Sequence, residues 1–122
     1  MKILIVDDSS TMRRIISNAI KSFIKDDLEI IEAEDGCEGL EKVSNDFDVI
    51  LSDWNMPNMT GIEFLQKSVE KGITKPFIMV TTEAEKSNVF SAIKSGAKNY
   101  LTKPFTPIIL KSKIEATLGR DL

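Results

Sequence analysis

Val49-Ile50-Leu51-Ser52-Asp53-Trp54-Asn55-Met56-Pro57 is an apolar run that ends on a carboxylate and is closed by a proline. A continuous β-branched and aliphatic run, rather than an alternating one, predicts a strand covered on both faces, as in a parallel sheet. Asp53 then stands at the carboxyl end of that strand. Open α/β sheets bind ligands in the crevice outside the carboxyl ends of their strands, which makes Asp53 a candidate functional acid. An aspartate that merely caps a turn is the plainer alternative.

On either side of this strand the chain alternates. Ile3 to Val6 reads as a short strand ending in Asp7-Asp8. Ser9 or Ser10 can cap the helix that follows, in which Met12, Ile15, Ile16, Ala19, Ile20, Phe23 and Ile24 recur at the three-and-four spacing of one buried stripe. Leu28 to Ala33 is a second strand and Asp35 to Asn45 a helix carrying Leu40 and Val43. After the Asp53 strand, Pro57 to Gly61 is a loop. Ile62 to Lys71 is a helix with Ile62, Leu65 and Val69 inward and Gly72 as its stop. Phe77 to Val80 is a fourth strand, ending at Thr81-Thr82, and Glu83 to Ser95 a helix stopped by Gly96. Asn99 to Thr102 is a fifth strand before Lys103-Pro104, and Pro107 suits the first turn of a last helix, Ile108 to Leu118.

Five strand–helix units with short connections imply a doubly wound, flavodoxin-like α/β fold: a five-stranded parallel sheet, helices on both faces, right-handed crossovers. The natural strand order is 2-1-3-4-5, which puts the ends of the first and third strands, and so Asp7, Asp8 and Asp53, in one crevice.

A chain of 122 residues is expected to form one domain over residues 1–122, burying roughly two thirds of its unfolded surface. The opening holds four consecutive apolar residues before Asp7, too few for a signal peptide's core, and no membrane span follows, so a cytoplasmic protein is expected. Cys37 stands alone and the chain has no histidine, which removes an internal disulfide, the usual metal-site company of cysteine and a Cys–His catalytic pair. The net charge of −3 hides an asymmetry: residues 26–53 hold eleven acids against one base, Lys42, whereas residues 86–113 hold six lysines and no acid. Two solvated faces are the bland meaning, and an acidic partner on the C-terminal third the sharper one. Nucleic acid fits poorly, since the whole is acidic and the lysines are not interleaved with aromatics.

The strand ends thus deliver three carboxylates, the Thr81 hydroxyl and the Lys103 ammonium to one rim. Acids held this close raise each other's pKa unless a cation joins them, and hard oxygen donors with room for water suit Mg²⁺. A divalent ion, a carboxylate nucleophile, a hydroxyl and a lysine together are what phosphoryl transfer uses, with Asp53 as acceptor. A nucleotide or flavin binder on this fold would need a Gly-rich phosphate loop, which Asp7-Asp8-Ser9-Ser10 is not. An aspartyl-phosphate hydrolase of small molecules would carry its nucleophile after the first strand with a second Asp two residues on, and a cap domain for which the chain has no room.

Val6-Asp7-Asp8, Asp53 with Met56-Pro57 and Gly61, Thr81, and Lys103-Pro104-Phe105 resemble, in order and spacing, the receiver domains of two-component response regulators. The strings from Asp8 to Ile15, Asp53 to Met59 and Lys103 to Thr106 resemble the chemotaxis members of that family. The resemblance implies a receiver with no output domain that is no enzyme beyond catalysing its own phosphorylation and dephosphorylation. It implies Asp53 as phosphoryl acceptor, and Mg²⁺ held by Asp8, Asp53 and the backbone carbonyl of Asn55 with Asp7 acting through water. It further implies Thr81 and Lys103 on phosphoryl oxygens and Tyr100 as the rotameric switch, with Trp54, Glu83, Lys86, Phe105 and Lys113 in the switch and output surface. The partners implied are a histidine kinase of the chemotaxis type, the flagellar motor switch protein and a phosphatase, with a monomer that binds neither nucleic acid nor membrane. A phosphorelay intermediate is the nearest alternative, and a small-molecule aspartyl-phosphate phosphatase on the same fold the alternative from a different class. Glu85 beside Lys86 departs from the two adjacent lysines the resemblance leads one to expect, so part of the target surface differs.

Overall fold

In the computed structural model, which describes residues 1–82 and 89–122, the deciding run is β3, Val49–Asp53, with every residue buried. Its neighbours are β1, Lys2–Val6, on one side and β4, Phe77–Thr82, on the other. With β2, Glu29–Ala33, outside β1 and β5, Asn99–Lys103, outside β4, the all-parallel sheet has the expected order 2-1-3-4-5.

Alternate residues of the central strands feed two cores, which is why their sequences are apolar throughout. Leu4 and Val6 of β1, Ile50 of β3 and Phe77 and Met79 of β4 point to one face. There they meet α2, Gly36–Lys42, α3, Gly61–Glu70, and α4, Val89–Lys94, through residues such as Phe64, Leu65 and Ala92. Ile3, Ile5, Val49, Leu51, Ile78 and Val80 point to the other face, against Ile16 and Ile20 of α1, Ser10–Phe23, and Leu110 and Ile114 of α5, Pro107–Leu118. Phe64 and Phe77 meet edge to face at 5.5 Å in the first core.

The helix ends follow local chemistry. Ser9 caps α1 by accepting from the Met12 N–H, Asp35 caps α2 through Glu38, Thr60 and Glu63 form a reciprocal capping box on α3, and Thr106 caps α5 ahead of Pro107. The second helix is shorter than the expected Asp35 to Asn45. It stops at Lys42 because Val43 turns extended into the core and the Asn45 side chain is engaged elsewhere, donating to the Gly72 carbonyl and accepting from the Thr74 N–H. Two periodic positions also differ from expectation: Ile15 is 48% and Val69 50% exposed. The buried face of α3 is carried instead by Phe64, Leu65 and Ser68. Among the described residues no helix is long and apolar enough to cross a membrane.

Candidate functional site

Asp53, the last residue of β3, lies opposite Val80 in register, and Asp7 directly follows β1. The switch in crossover direction between β1 and β3 leaves the ends of these strands uncovered by either helix layer. One carboxylate oxygen from each of Asp7, Asp8 and Asp53 falls within 4.8 Å of the others. Asp7 and Asp53 are buried and Asp8 is exposed, so the cluster has a closed floor and one open side.

Lys103, at the end of β5, reaches across this rim. Its ammonium donates to Asp53 Oδ1 at 3.1 Å and lies 3.6 Å from Asp7 Oδ2, an ion pair too long for a hydrogen bond. Asp7 Oδ1 accepts from the Ser9 N–H at 2.9 Å, whereas among the described residues the buried Oδ2 has no hydrogen-bond partner. Asp53 Oδ1 also accepts from the N–H of Trp54 at 2.9 Å. Burial first, and the Asp7 charge second, push the Asp53 carboxyl up to about 6 against the pull of Lys103 and the Trp54 N–H. Burial likewise raises Asp7, opposed by the Ser9 N–H and Lys103. One ammonium therefore does not neutralise the pocket. An orphaned buried carboxylate oxygen and three acids around one point fit a hard divalent cation such as Mg²⁺.

Thr81 is fully buried one residue beyond the position facing Asp53, and its hydroxyl donates to the Thr82 carbonyl at 2.8 Å. Trp54 is partly buried against the α2–α4 core, its N–H shared between Asp53 and the Val80 carbonyl. Tyr100, half-buried on the edge strand β5, has the Lys113 ammonium 4.3 Å from its ring centre. Phe105 packs on the other side of the molecule, beside Ile15 and Ala19 of α1. Asn55 is exposed in the loop after β3. Glu83, Glu85 and Lys86 lie outside the described residues.

Gly61 matters more than its sequence position as a loop landmark suggests. Its N–H donates to the Trp54 carbonyl at 2.9 Å, and a Cβ built there would run into the Asp53 carbonyl oxygen and come 2.7 Å from Met79 Cε. The loop after β3 can pack under the acid only because no side chain intervenes. Gly61→Ala is expected to destabilise the protein by about 1–3 kcal/mol through overpacking and to shift the Asp53 backbone. Urea unfolding together with the Asp53 and Trp54 amide shifts checks this, and unchanged stability with unmoved shifts would contradict it.

The fold and this rim define a class: residues 3–115 match the response regulator receiver domain, and the chain belongs to that family. Within it the similarity points to chemotaxis. CheY1 of Helicobacter pylori is 47% identical over 125 residues, covering 99% of this chain and 99% of the relative. A CheY homolog of Campylobacter jejuni is 48% identical over 123 residues, covering 98% and 93%. Among solved structures, the chemotaxis response regulator CheY4 of Vibrio cholerae superimposes with a TM-score of 0.83 at 36% identity, covering 96% of this chain and 98% of that one. The protein is a CheY-type receiver of two-component signalling.

Proposed function

We propose that the protein takes a phosphoryl group from a histidine kinase onto Asp53 with Mg²⁺ and, once charged, binds a target, the flagellar motor switch being the one that the resemblance to chemotaxis receivers implies. The observation that carries the reading is Asp53 itself: a carboxylate at the floor of the acid cluster, hydrogen-bonded to Lys103. An Asp53 oxygen attacks phosphorus, an O–P bond forms and the N–P bond to the donor histidine breaks. Asp8, Asp53 and the Asn55 carbonyl would hold Mg²⁺, with Asp7 through water, and the ion supplies charge neutralisation on the phosphoryl oxygens. Lys103 keeps one phosphoryl oxygen paired after the Asp53 charge is spent.

Switching then follows from Thr81 and Tyr100. Turning the Thr81 hydroxyl from the Thr82 carbonyl to a phosphoryl oxygen vacates space beneath β4, and Tyr100 turns inward to fill it, leaving the Lys113 ammonium. The face of α4, β5 and α5 changes shape and presents Lys94, Lys98 and Lys113 to an acidic or amphipathic segment, whereas Lys111 lies on the α1 side of α5 beside Ser22 and Phe23.

Incubation with acetyl phosphate and Mg²⁺ should add one phosphoryl group, lost with chelator and in Asp53→Asn, while unrelated phosphoesters should not be turned over. Full labelling of Asp53→Asn would overturn the assignment. Trp54, adjacent to the acceptor, should report Mg²⁺ by a saturable fluorescence change that Asp8→Ala removes. Affinity for the motor-switch segment should rise with a beryllofluoride mimic by about 1–3 kcal/mol. Tyr100→Ala and Lys113→Glu should erase that gain. Equal affinity in both states would favour a phosphorelay intermediate.

A further inference from the structure

Arg13 lies one turn into α1 with its side chain only 15% exposed, unusual for an arginine on a surface helix. Its guanidinium makes two bonds at once. One terminal NH donates to the backbone carbonyl of Asp7 at 2.7 Å, and the Nε–H donates to Glu32 Oε1 of β2 at 2.9 Å. The Asp7 N–H meanwhile donates to the Ala33 carbonyl of β2 at 3.1 Å. Both backbone groups of Asp7 are thus tied toward β2, the N–H directly and the carbonyl through Arg13. The carbonyl that Arg13 holds belongs to the Asp7–Asp8 peptide, whose orientation sets where both carboxylates point.

We infer that Arg13, anchored by Glu32, is a positioning residue that fixes the aim of Asp7 and Asp8 into the acid cluster. The inference rests on the reading of that cluster as a Mg²⁺ site. Holding a carbonyl and a carboxylate together suits a planar fork, because lysine offers a single ammonium and cannot reproduce two divergent, oriented donors. Charge alone would give the opposite sign, because removing a cation beside three acids favours a second cation. Positioning and simple electrostatics therefore separate cleanly.

The test is Mg²⁺ titration by Trp54 fluorescence on wild type, Arg13→Ala, Arg13→Lys and Glu32→Ala, with the Asp8 amide ¹⁵N shift, which senses hydrogen bonding to the Asp7 carbonyl, measured in the metal-free proteins. Arg13→Ala should weaken Mg²⁺ binding about tenfold, the scale of losing a group that orients a metal ligand, and move the Asp8 amide ¹⁵N shift. Arg13→Lys should fall close to Arg13→Ala rather than to wild type. Glu32→Ala, on an exposed carboxylate and safe for folding, should weaken binding too, and the double variant should be no worse than Arg13→Ala alone. Unchanged or tighter Mg²⁺ binding in Arg13→Ala, or full retention in Arg13→Lys, overturns the inference. A wild type that gives no Mg²⁺ response removes the metal reading instead, and the Asp8 amide shift still decides whether Arg13 holds the peptide.

Discussion

Asp53→Asn, assayed in chelator near pH 7.5, is expected to be more stable than wild type by up to about 3 kcal/mol. Asn keeps the shape of the side chain and an oxygen to accept from Lys103 and the Trp54 N–H, but removes a charge that the fold holds out of water beside Asp7. The distance from the ordinary 3.8 to about 6 gives the scale. At 1.36 kcal/mol per pKa unit it is worth about 3 kcal/mol. Lys103 is not left alone by the change, since Asp7 still faces it. A urea-unfolding comparison checks the prediction, and an Asp53→Asn protein less stable than wild type would contradict it.

The same displacement fixes a pH dependence. A carboxyl whose folded pKa is raised binds its proton more readily in the native than in the unfolded state. Its stabilising contribution is therefore complete below the unfolded value and lost as pH rises through the folded one. Metal-free wild type should lose stability between about pH 4 and 6, with Asp7, also raised, acting in the same direction. At pH 4 and below, the advantage of Asp53→Asn should vanish. Mg²⁺ should reverse the trend, because protonated Asp53 is no ligand and binding strengthens as the proton leaves.

Sequence reading reaches the sheet and the rim because both are local. The strand cores are unbroken apolar runs, and strand order brings their carboxyl ends together whatever the side chains do. What it does not reach depends on partners distant in sequence. Ile15 and Val69 obey the helical period yet face solvent, since the period gives a stripe and not its width. The second helix ends early because Asn45 bonds across to Gly72 and Thr74. Met12-Arg13-Arg14 read from sequence as helix face and surround of the acid cluster, but only the fold shows that Arg13 reaches Glu32 and the Asp7 carbonyl. Gly61 is a recognisable landmark, but the reason for glycine, the Asp53 carbonyl beneath it, is tertiary.

Lys103→Ala should do the reverse of Asp53→Asn in the metal-free protein and the unexpected in its complex with Mg²⁺. Burial, the largest influence on the Lys103 ammonium, would lower its pKa, but Asp53 and then Asp7 outweigh it and the group is raised overall. A raised lysine contributes stability in full below its unfolded value and loses it only at pH above the folded one, so the contribution is constant around neutrality. Removing the ammonium leaves two buried carboxylates without their cation. Loss of one partner from a buried pair costs about 3–5 kcal/mol, and the low end is expected here because the Lys103 side chain keeps 19% exposure. Much of that loss should return at pH 5, where Asp53 takes up a proton, and most of it with saturating Mg²⁺. Mg²⁺ itself should bind Lys103→Ala at least as tightly as wild type, since a competing positive charge has gone, whereas the beryllofluoride gain in partner affinity should fall. Unfolding with and without Mg²⁺, alongside the Trp54 titration, measures each part. A variant as stable as wild type in chelator, or one that binds Mg²⁺ more weakly, would mean that Lys103 is not the charge that holds Asp7 and Asp53 together.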